Sequence, residues 1–164
     1  MKDDQLTVIG RAEEVDLPDF GLAGVPAKVD TGADNSAIWV SQIVEKADGL
    51  HCVFFGPDSP FYSGEKVIVK KDYKLTRIAN SFGQKELRYK IKLRIRVGGR
   101  LVRATFTLSD RSPKTYPILL GRKLLKDKFL VDVSKGKPLK SAEQAKTQNL
   151  KDDLQGIIKR EEAP

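Results

Sequence analysis

The residues of this chain best suited to chemistry are Asp30, Thr31 and Gly32, which follow a short apolar run at residues 25–29. This order suits a tight turn, because the hydroxyl of Thr31 can lock the turn by a hydrogen bond and Gly32 has no Cβ to keep other backbone away. A carboxyl group held in such a turn can take a proton from water. The tripeptide alone is weak evidence, since an ordinary Asx-type turn after a strand can have the same sequence.

A second segment, far downstream, gives the tripeptide more weight. Residues 117–122 read Pro-Ile-Leu-Leu-Gly-Arg. In order and spacing, the two segments resemble those of the retropepsins, the retroviral-type aspartic proteases. In those proteins a strand brings Asp-Thr-Gly to the floor of the cleft, and an apolar segment ending in Gly-Arg passes beside it and begins the last helix.

The resemblance extends to a bacterial retropepsin-like family that has been called the ATP-dependent zinc proteases, and it covers residues 5–135. The stretches shared with that family are Asn80-Ser81-Phe82-Gly83, Thr107-Leu108-Ser109-Asp110-Arg111-Ser112 and Leu119-Leu120-Gly121-Arg122. The resemblance implies an all-β fold, a closed retropepsin-like barrel with one short helix, active as a homodimer. Residues 77–84 then stand where the flap hairpin is found.

The resemblance also implies a reaction, the hydrolysis of peptide or amide bonds. Without a metal or a covalent nucleophile, hydrolysis needs two carboxyl groups that share one proton, so that one activates water and the other protonates the carbonyl oxygen. One Asp-Thr-Gly supplies half of this pair, and a twofold homodimer supplies the other half. The predicted catalytic residues are Asp30, Thr31 and Gly32.

Other site residues are carried over from the same resemblance. Asp34 and Arg122 can form a charge-assisted pair that ties the active-site loop to the last helix. The residues expected to line the substrate groove are Asp34, Asn35, Ser81, Phe82, Gly83, Tyr116 and Leu119. For the tip residues near 82 and the wall residues near 119, turn chemistry or core packing explains the sequence equally well.

Charge is distributed unevenly along the 164 residues, whose net charge is +8. The first 60 residues hold 4 basic and 11 acidic residues, a net charge of −7, and the remaining 26 basic and 11 acidic residues give +15. A solvated surface is the default explanation, but the excess favours an acidic or glutamate-rich polypeptide as substrate. The family is associated with ATP-grasp ligases that add glutamate to protein tails, which points the same way.

An alternative function is a non-catalytic module of the same fold that binds an acidic protein or nucleic acid through a basic strand. That strand carries Arg88, Lys90, Lys92, Arg94 and Arg96 on one face. Nucleic acid is not favoured as a partner, because the strand's aromatic residue, Tyr89, falls on the apolar face and cannot stack on bases.

Other chemistries find little support. His51 and Cys52 are neighbours, so on a strand their side chains point to opposite faces and do not form a dyad. The family label mentions zinc and ATP, yet the sequence has no His-Glu-x-x-His, no Cys-x-x-Cys and no phosphate-binding Gly-Lys-Ser/Thr loop. We therefore predict no cofactor and no metal. One cysteine and no apolar leader predict a cytoplasmic protein without a membrane segment, although a chain that had lost an export signal would look the same.

The elements that must position these residues are mostly short strands. Strict alternation at residues 85–97 predicts a long strand, and Gly98-Gly99 predicts a two-residue turn into the next strand at 101–108. Further strands are predicted at 6–11, 25–29, 50–55, 66–70 and 129–133, with a short helix at 122–128. Residues 1–135 form the predicted protease domain, and 136–164 a basic tail or appended helix. The terminal strands at 6–9 and 129–133 are the expected dimer interface.

Overall fold

The computed structural model describes residues 5–79, 82–111 and 116–162, with the backbone alone at 141–146. In these residues the chain forms short strands, a 3-10 turn at Pro18–Phe20 and two helices. The strands are β1 Thr7–Ile9, β2 Ala12–Leu17, β3 Leu22–Val29, β4 Ser36–Lys46, β5 Gly49–Phe54, β6 Val67–Val69, β7 Tyr73–Ala79, β8 Lys85–Val97, β9 Arg100–Ser109, β10 Ile118–Leu120 and β11 Phe129–Val131. The helices are α1 Arg122–Leu125 and α2 Lys140–Glu162.

Six strands close into a barrel, in the order β10, β3, β2, β8, β9, β4 and back to β10. The barrel encloses a single apolar core whose fully buried members include Val15, Ile38, Ile95 and Phe106. β5 and β6 extend the sheet beyond β4, and β7 pairs with β8. The predicted all-β closed barrel with one short helix is confirmed, and the homodimer stays a prediction.

The long basic strand lies where the alternation predicts it, at Lys85–Val97. Its inner half alternates as expected, with Ile91, Ile95 and Val97 buried and the residues between them exposed. The outer half does not, because the side chain of Leu87 is 61% exposed. This part of β8 pairs with β7 as a projecting hairpin, in which residues 85–87 are exposed and residues 88–90 are only partly buried.

Several predicted boundaries are wrong. The strand expected at 6–11 is confined to β1, which ends before Gly10 and pairs with β11, and a separate strand, β2, begins at Ala12 and pairs with β3. A Cβ at Gly10 would lie 2.2 Å from the backbone of Gly136, so another part of the chain crosses here in close contact. Strand β4, which follows the Asp-Thr-Gly turn, was not predicted.

Helix α1 and strand β11 are shorter than expected, whereas the tail that follows them is more regular than expected. Helix α1 ends at Leu125 instead of 128, and β11 ends at Val131 instead of 133. The tail forms the helix α2, which begins at Lys140. Its apolar residues Leu150, Leu154, Ile157 and Ile158 are exposed. Within the described ranges, no helix is both long and apolar enough to cross a bilayer.

Candidate active site

The candidate site is built around β10, which lies between β3 and β4. It pairs in parallel with β3 and antiparallel with β4, so that Leu119 faces Lys28 on one side and Ala37 on the other. The loop at residues 30–35 joins β3 to β4 at the end of β10. This arrangement brings the two sequence motifs, which are almost ninety residues apart, side by side.

Backbone hydrogen bonds hold Asp30 at the head of this loop. The amide of Asp30 donates to the carbonyl of Leu120 over 2.9 Å, and the amide of Ala33 donates back to the carbonyl of Asp30 over 3.2 Å. The amide of Gly32 donates to Oδ1 of the Asp30 carboxylate at 3.0 Å. The carboxylate is thereby fixed in orientation while the side chain stays partly exposed.

Gly121 fits against the other side of the same loop, where no side chain could. A Cβ at this position would lie 2.5 Å from the carbonyl oxygen of Asn35 and 2.9 Å from that of Ala33. The amide of Gly121 donates to the hydroxyl of buried Ser36 at 3.0 Å. The amide of Arg122 then donates to the carbonyl of Ala33 at 2.7 Å, so helix α1 begins on the loop itself.

The side chain of Arg122 adds a charged contact to this backbone clamp. Its guanidinium pairs with the carboxylate of Asp34 and lies 3.5 Å and 3.4 Å from the carbonyl oxygens of Thr31 and Gly32. Both charged side chains are more than half exposed, so water screens the pair and its main effect is on geometry. Asn35 is held similarly, since Lys123 donates to its Oδ1 at 3.2 Å.

The structure therefore brings together Asp30, Thr31, Gly32, Asp34 and Asn35 with Arg122. The residues expected at the flap tip and along the groove wall differ in their surroundings. Phe82 and Gly83 lie in the turn between β7 and β8, with Phe82 88% exposed and Gly83 at a φ of +76°. Ser81 lies outside the described residues.

The two wall residues have structural contacts. The hydroxyl of Tyr116 accepts a hydrogen bond from the amide of Leu139 at 3.0 Å, which fastens the segment that leads into α2. Leu119 is partly buried within β10. Neither contact separates a substrate-binding role from a packing role.

Arg111 is a residue whose position the sequence did not reveal. Its side chain is partly buried, and its Nε donates to the carbonyl of Tyr116 at 3.1 Å. Burial lowers the pKa of Arg111, nearby Arg88 lowers it further, and the charge of Asp30 raises it. A cation thus lies near the candidate catalytic carboxylate. The sequence feature that could have indicated this position is that Arg111 lies in the stretch 107–112 shared with the family.

His51 and Cys52 lie on β5 with their side chains on opposite faces. Nε2 of His51 lies 2.6 Å from a carboxylate oxygen of Asp48, and Cys52 is buried in the core. Burial raises the pKa of the Cys52 thiol to about 11, which makes it a poor nucleophile. In the part of the chain that the structure describes, no three His, Cys, Asp or Glu side chains converge as metal ligands would.

A sequence profile of the RimB-like family, described as the retropepsin-like aspartic endopeptidase RimB, matches residues 8–139. The chain belongs to this family. The predicted resemblance is confirmed, and the matched residues include both motifs of the candidate site.

Individual relatives of this RimB-like chain bear another name. A protein of Shewanella pealeana is 33% identical over 135 residues, which are 80% of this chain and 29% of that protein. A protein of Desulfotalea psychrophila is 28% identical over 129 residues, 76% of this chain and 28% of the other. Both are described as probable alpha-L-glutamate ligases. The chain thus spans less than a third of the length of the curated relatives it matches.

One solved structure has the same fold. The crystal structure of Lpg0085, a protein of unknown function from Legionella pneumophila, superposes with a TM-score of 0.60. The match covers 80% of this chain and 97% of that protein at 24% sequence identity. At this identity the comparison supports the fold alone, and any argument about chemistry rests on the residues of this chain.

Proposed function

We propose that this RimB-like chain is an aspartic endopeptidase whose active site forms between two copies. The observation that carries the proposal is the fixed carboxylate of Asp30, oriented by the amide of Gly32 and anchored through its own amide to Leu120. A surface turn without a catalytic role would not need a second segment clamped on it by Gly121 and Arg122. The family to which the chain belongs is described as an aspartic endopeptidase, which supports this chemistry.

The chain supplies half of the reacting groups, because its sequence contains a single Asp-Thr-Gly. When two Asp30 side chains meet across a twofold axis, their like charges disfavour full ionisation and one proton is shared. The ionised carboxyl group takes a proton from water, which attacks the carbonyl carbon of the substrate. The protonated group gives its proton to the carbonyl oxygen, which yields a tetrahedral diol. The carboxyl group that took the proton from water then donates it to the substrate nitrogen, the C–N bond breaks and releases the amine, and a hydroxyl proton of the diol returns to the other carboxylate.

A surface suited to the second copy lies beside the catalytic loop. It is a shallow, largely apolar depression of about 530 Å³, which we call the dimer face. It is lined by Thr31, Arg122, Leu125, Phe129, Leu130 and Val131. Because Thr31 follows Asp30 directly, a copy bound here would lie next to the carboxylate that needs a partner. Leu130, 54% exposed in the single chain, would become buried.

The proposed substrate is an acidic, glutamate-rich polypeptide. The relatives named probable alpha-L-glutamate ligases contain a segment similar to this chain, which suggests that the segment acts on what such ligases make. The ligase name describes those whole proteins, of which the matched part is less than a third. The net charge of +8 favours an acidic substrate as well.

The test is the hydrolysis of a glutamate-rich peptide by the wild type and by Asp30→Asn, with products identified by mass spectrometry. The asparagine amide keeps the shape of the side chain and can still accept the hydrogen bond from Gly32, so we expect a folded, inactive protein. Asp58→Asn is the matched control, since Asp58 is exposed in a loop away from the site. A chelator is expected to leave activity unchanged.

Two results would contradict the proposal. Cleavage that persists in folded Asp30→Asn would exclude the aspartic mechanism. If neither protein cleaves any peptide yet both bind acidic ligands equally, the alternative of a non-catalytic binding module would take its place.

A further inference from the structure

A strongly basic groove runs along the flank of the barrel, beside the candidate active site. Its volume is about 850 Å³, and it is bounded by β7, β8, β9 and the region of α1. We call it the basic groove. Its cationic lining residues are Arg77, Lys90, Lys92, Arg103, Lys123 and Lys128.

The positive charge of the basic groove is largely uncompensated. Among its described lining residues, the one carboxylate is Asp72, and this is already paired with Arg103 at 3.1 Å. Lys123 contacts the neutral side-chain oxygen of Asn35. A concave surface with several like charges concentrates its field, so it attracts anionic ligands more strongly than a convex one.

The structure also divides the basic strand into parts with different roles. On β8, Arg94 is bound to Asp19 through its Nε at 2.9 Å, and Arg88 is paired with Glu86. Lys90 and Lys92 lie between these pairs and line the groove, opposite Thr107 and Thr105 of β9. The charge that the strand contributes to the groove therefore comes from Lys90 and Lys92 at its middle.

The basic groove reaches the catalytic loop. Asn35, five residues after Asp30, lies at its edge, and Lys123 follows Arg122 of the loop clamp. A chain that leaves the cleft on the side of Asn35 would enter the groove directly.

We infer that the basic groove binds an acidic stretch of polypeptide that lies outside the residues flanking the cleaved bond. The inference rests on the proposed function in treating that polypeptide as the substrate. Among the lining residues that the structure describes there is no aromatic side chain on which a base could stack, which favours carboxylates on a peptide over single-stranded nucleic acid. Lys90 and Lys92, two residues apart on a strand, are spaced about 7 Å apart, as are alternate side chains of an extended peptide.

The test measures binding in the Asp30→Asn background, so that it does not depend on catalysis. A fluorescein-labelled oligoglutamate is titrated with Asp30→Asn and with the same protein carrying Lys90→Gln and Lys92→Gln. The matched control carries Lys151→Gln and Lys159→Gln, which remove the same charge from exposed positions on α2. We expect the groove variant to bind about tenfold more weakly at low salt and the control to bind almost unchanged.

Salt and a second ligand complete the test. Binding to the parent should weaken steeply as salt is added, and the slope should be smaller in the groove variant. Equal affinities for all three proteins, or equal losses in both variants, would overturn the inference. Tighter binding of a single-stranded RNA of equal charge, lost in the same variant, would also overturn it, because the groove would then be a nucleic-acid site. Because binding is measured in the Asp30→Asn background, none of these results depends on the outcome of the hydrolysis test.

Discussion

At the scale of single residues, the candidate site depends on close backbone packing around Gly121. The carbonyl oxygens of Ala33 and Asn35 occupy the space that a side chain there would need. This explains why a glycine follows the apolar segment of β10 and why the turn of α1 begins where it does. The segment that ends in Gly121 and Arg122 therefore needs a residue without a side chain at position 121, in addition to the charged side chain at position 122.

Gly121→Ala should therefore destabilise the protein and displace the catalytic loop. Backbone carbonyls cannot move aside as a flexible side chain can, so we expect a loss of about 1–3 kcal/mol in the free energy of unfolding. Urea unfolding measures it. The matched control is Gly156→Ala, where the added methyl meets nothing within 4 Å and helix propensity favours alanine. Equal stabilities for the two variants would contradict the steric account.

Cys52 provides a second prediction at this scale. Its thiol is buried and its pKa is raised to about 11, so little thiolate exists near pH 8. A thiol reagent should react very slowly with the native protein and rapidly in denaturant. Rapid modification of the folded protein, followed by absorbance, would show that β5 does not shield this side chain.

The sequence located the main site residues but not all of their neighbours. Asp30 and its loop could be found because the motif is local, and the Asp34 pairing with Arg122 followed from the family resemblance. The surroundings of Arg111 could not be predicted, because they come from distant parts of the chain, among them Arg88 and Asp30. Alternation and spacing carry no information on such contacts.

At the scale of elements, the strand predicted at 85–97 is confirmed in its extent, but its predicted alternation of burial holds only where the core covers one face. The inner half of β8 keeps its alternation because the core covers one face, whereas Leu87 is exposed on the projecting hairpin. β4 was missed because the buried run at its start shows no alternation. The first strand ends before Gly10, where the chain passes Gly136 in a close contact that the local sequence does not encode.

The contact between the 3-10 turn and β8 predicts a pH dependence. The hydrogen bond from Arg94 lowers the pKa of Asp19, so the ionised form stabilises the fold above the ordinary pKa of an aspartate. This stabilisation is lost as the pH falls through the lowered pKa. Asp19→Asn should lower Tm at pH 7 by at most about 4 °C, because the pair is partly exposed. The difference should vanish once the pH falls below that lowered pKa; a constant difference at all pH values would contradict it.

At the scale of the whole molecule, the proposal requires two copies. The dimer face joins apolar β11 residues to Thr31 and Arg122, so in the proposed dimer assembly and catalysis would share a surface. The pairing of β1 with β11 within one chain leaves Val8 and Leu130 about half exposed. Both strands were expected at the interface from their apolar content.

Leu130→Glu should weaken the dimer, because association would bury an unpaired carboxylate. Sedimentation velocity should show a shift towards monomer, and hydrolysis should fall in parallel. The control is Val44→Glu, at a position that is similarly exposed, 52% against 54%, but lies on β4 outside the dimer face. A monomeric Leu130→Glu protein with full activity would refute the shared site.

The most direct test of the central claim mixes two kinds of chain. Wild type and Asp30→Asn are unfolded together, refolded in varying ratios at constant total protein, and assayed for hydrolysis of a glutamate-rich peptide. If each active site needs one Asp30 from each copy, mixed dimers are inactive and activity follows the square of the wild-type fraction. An equal mixture should then keep about a quarter of the activity. Activity that falls in direct proportion to the wild-type fraction would mean that each chain acts alone, and the account would be wrong.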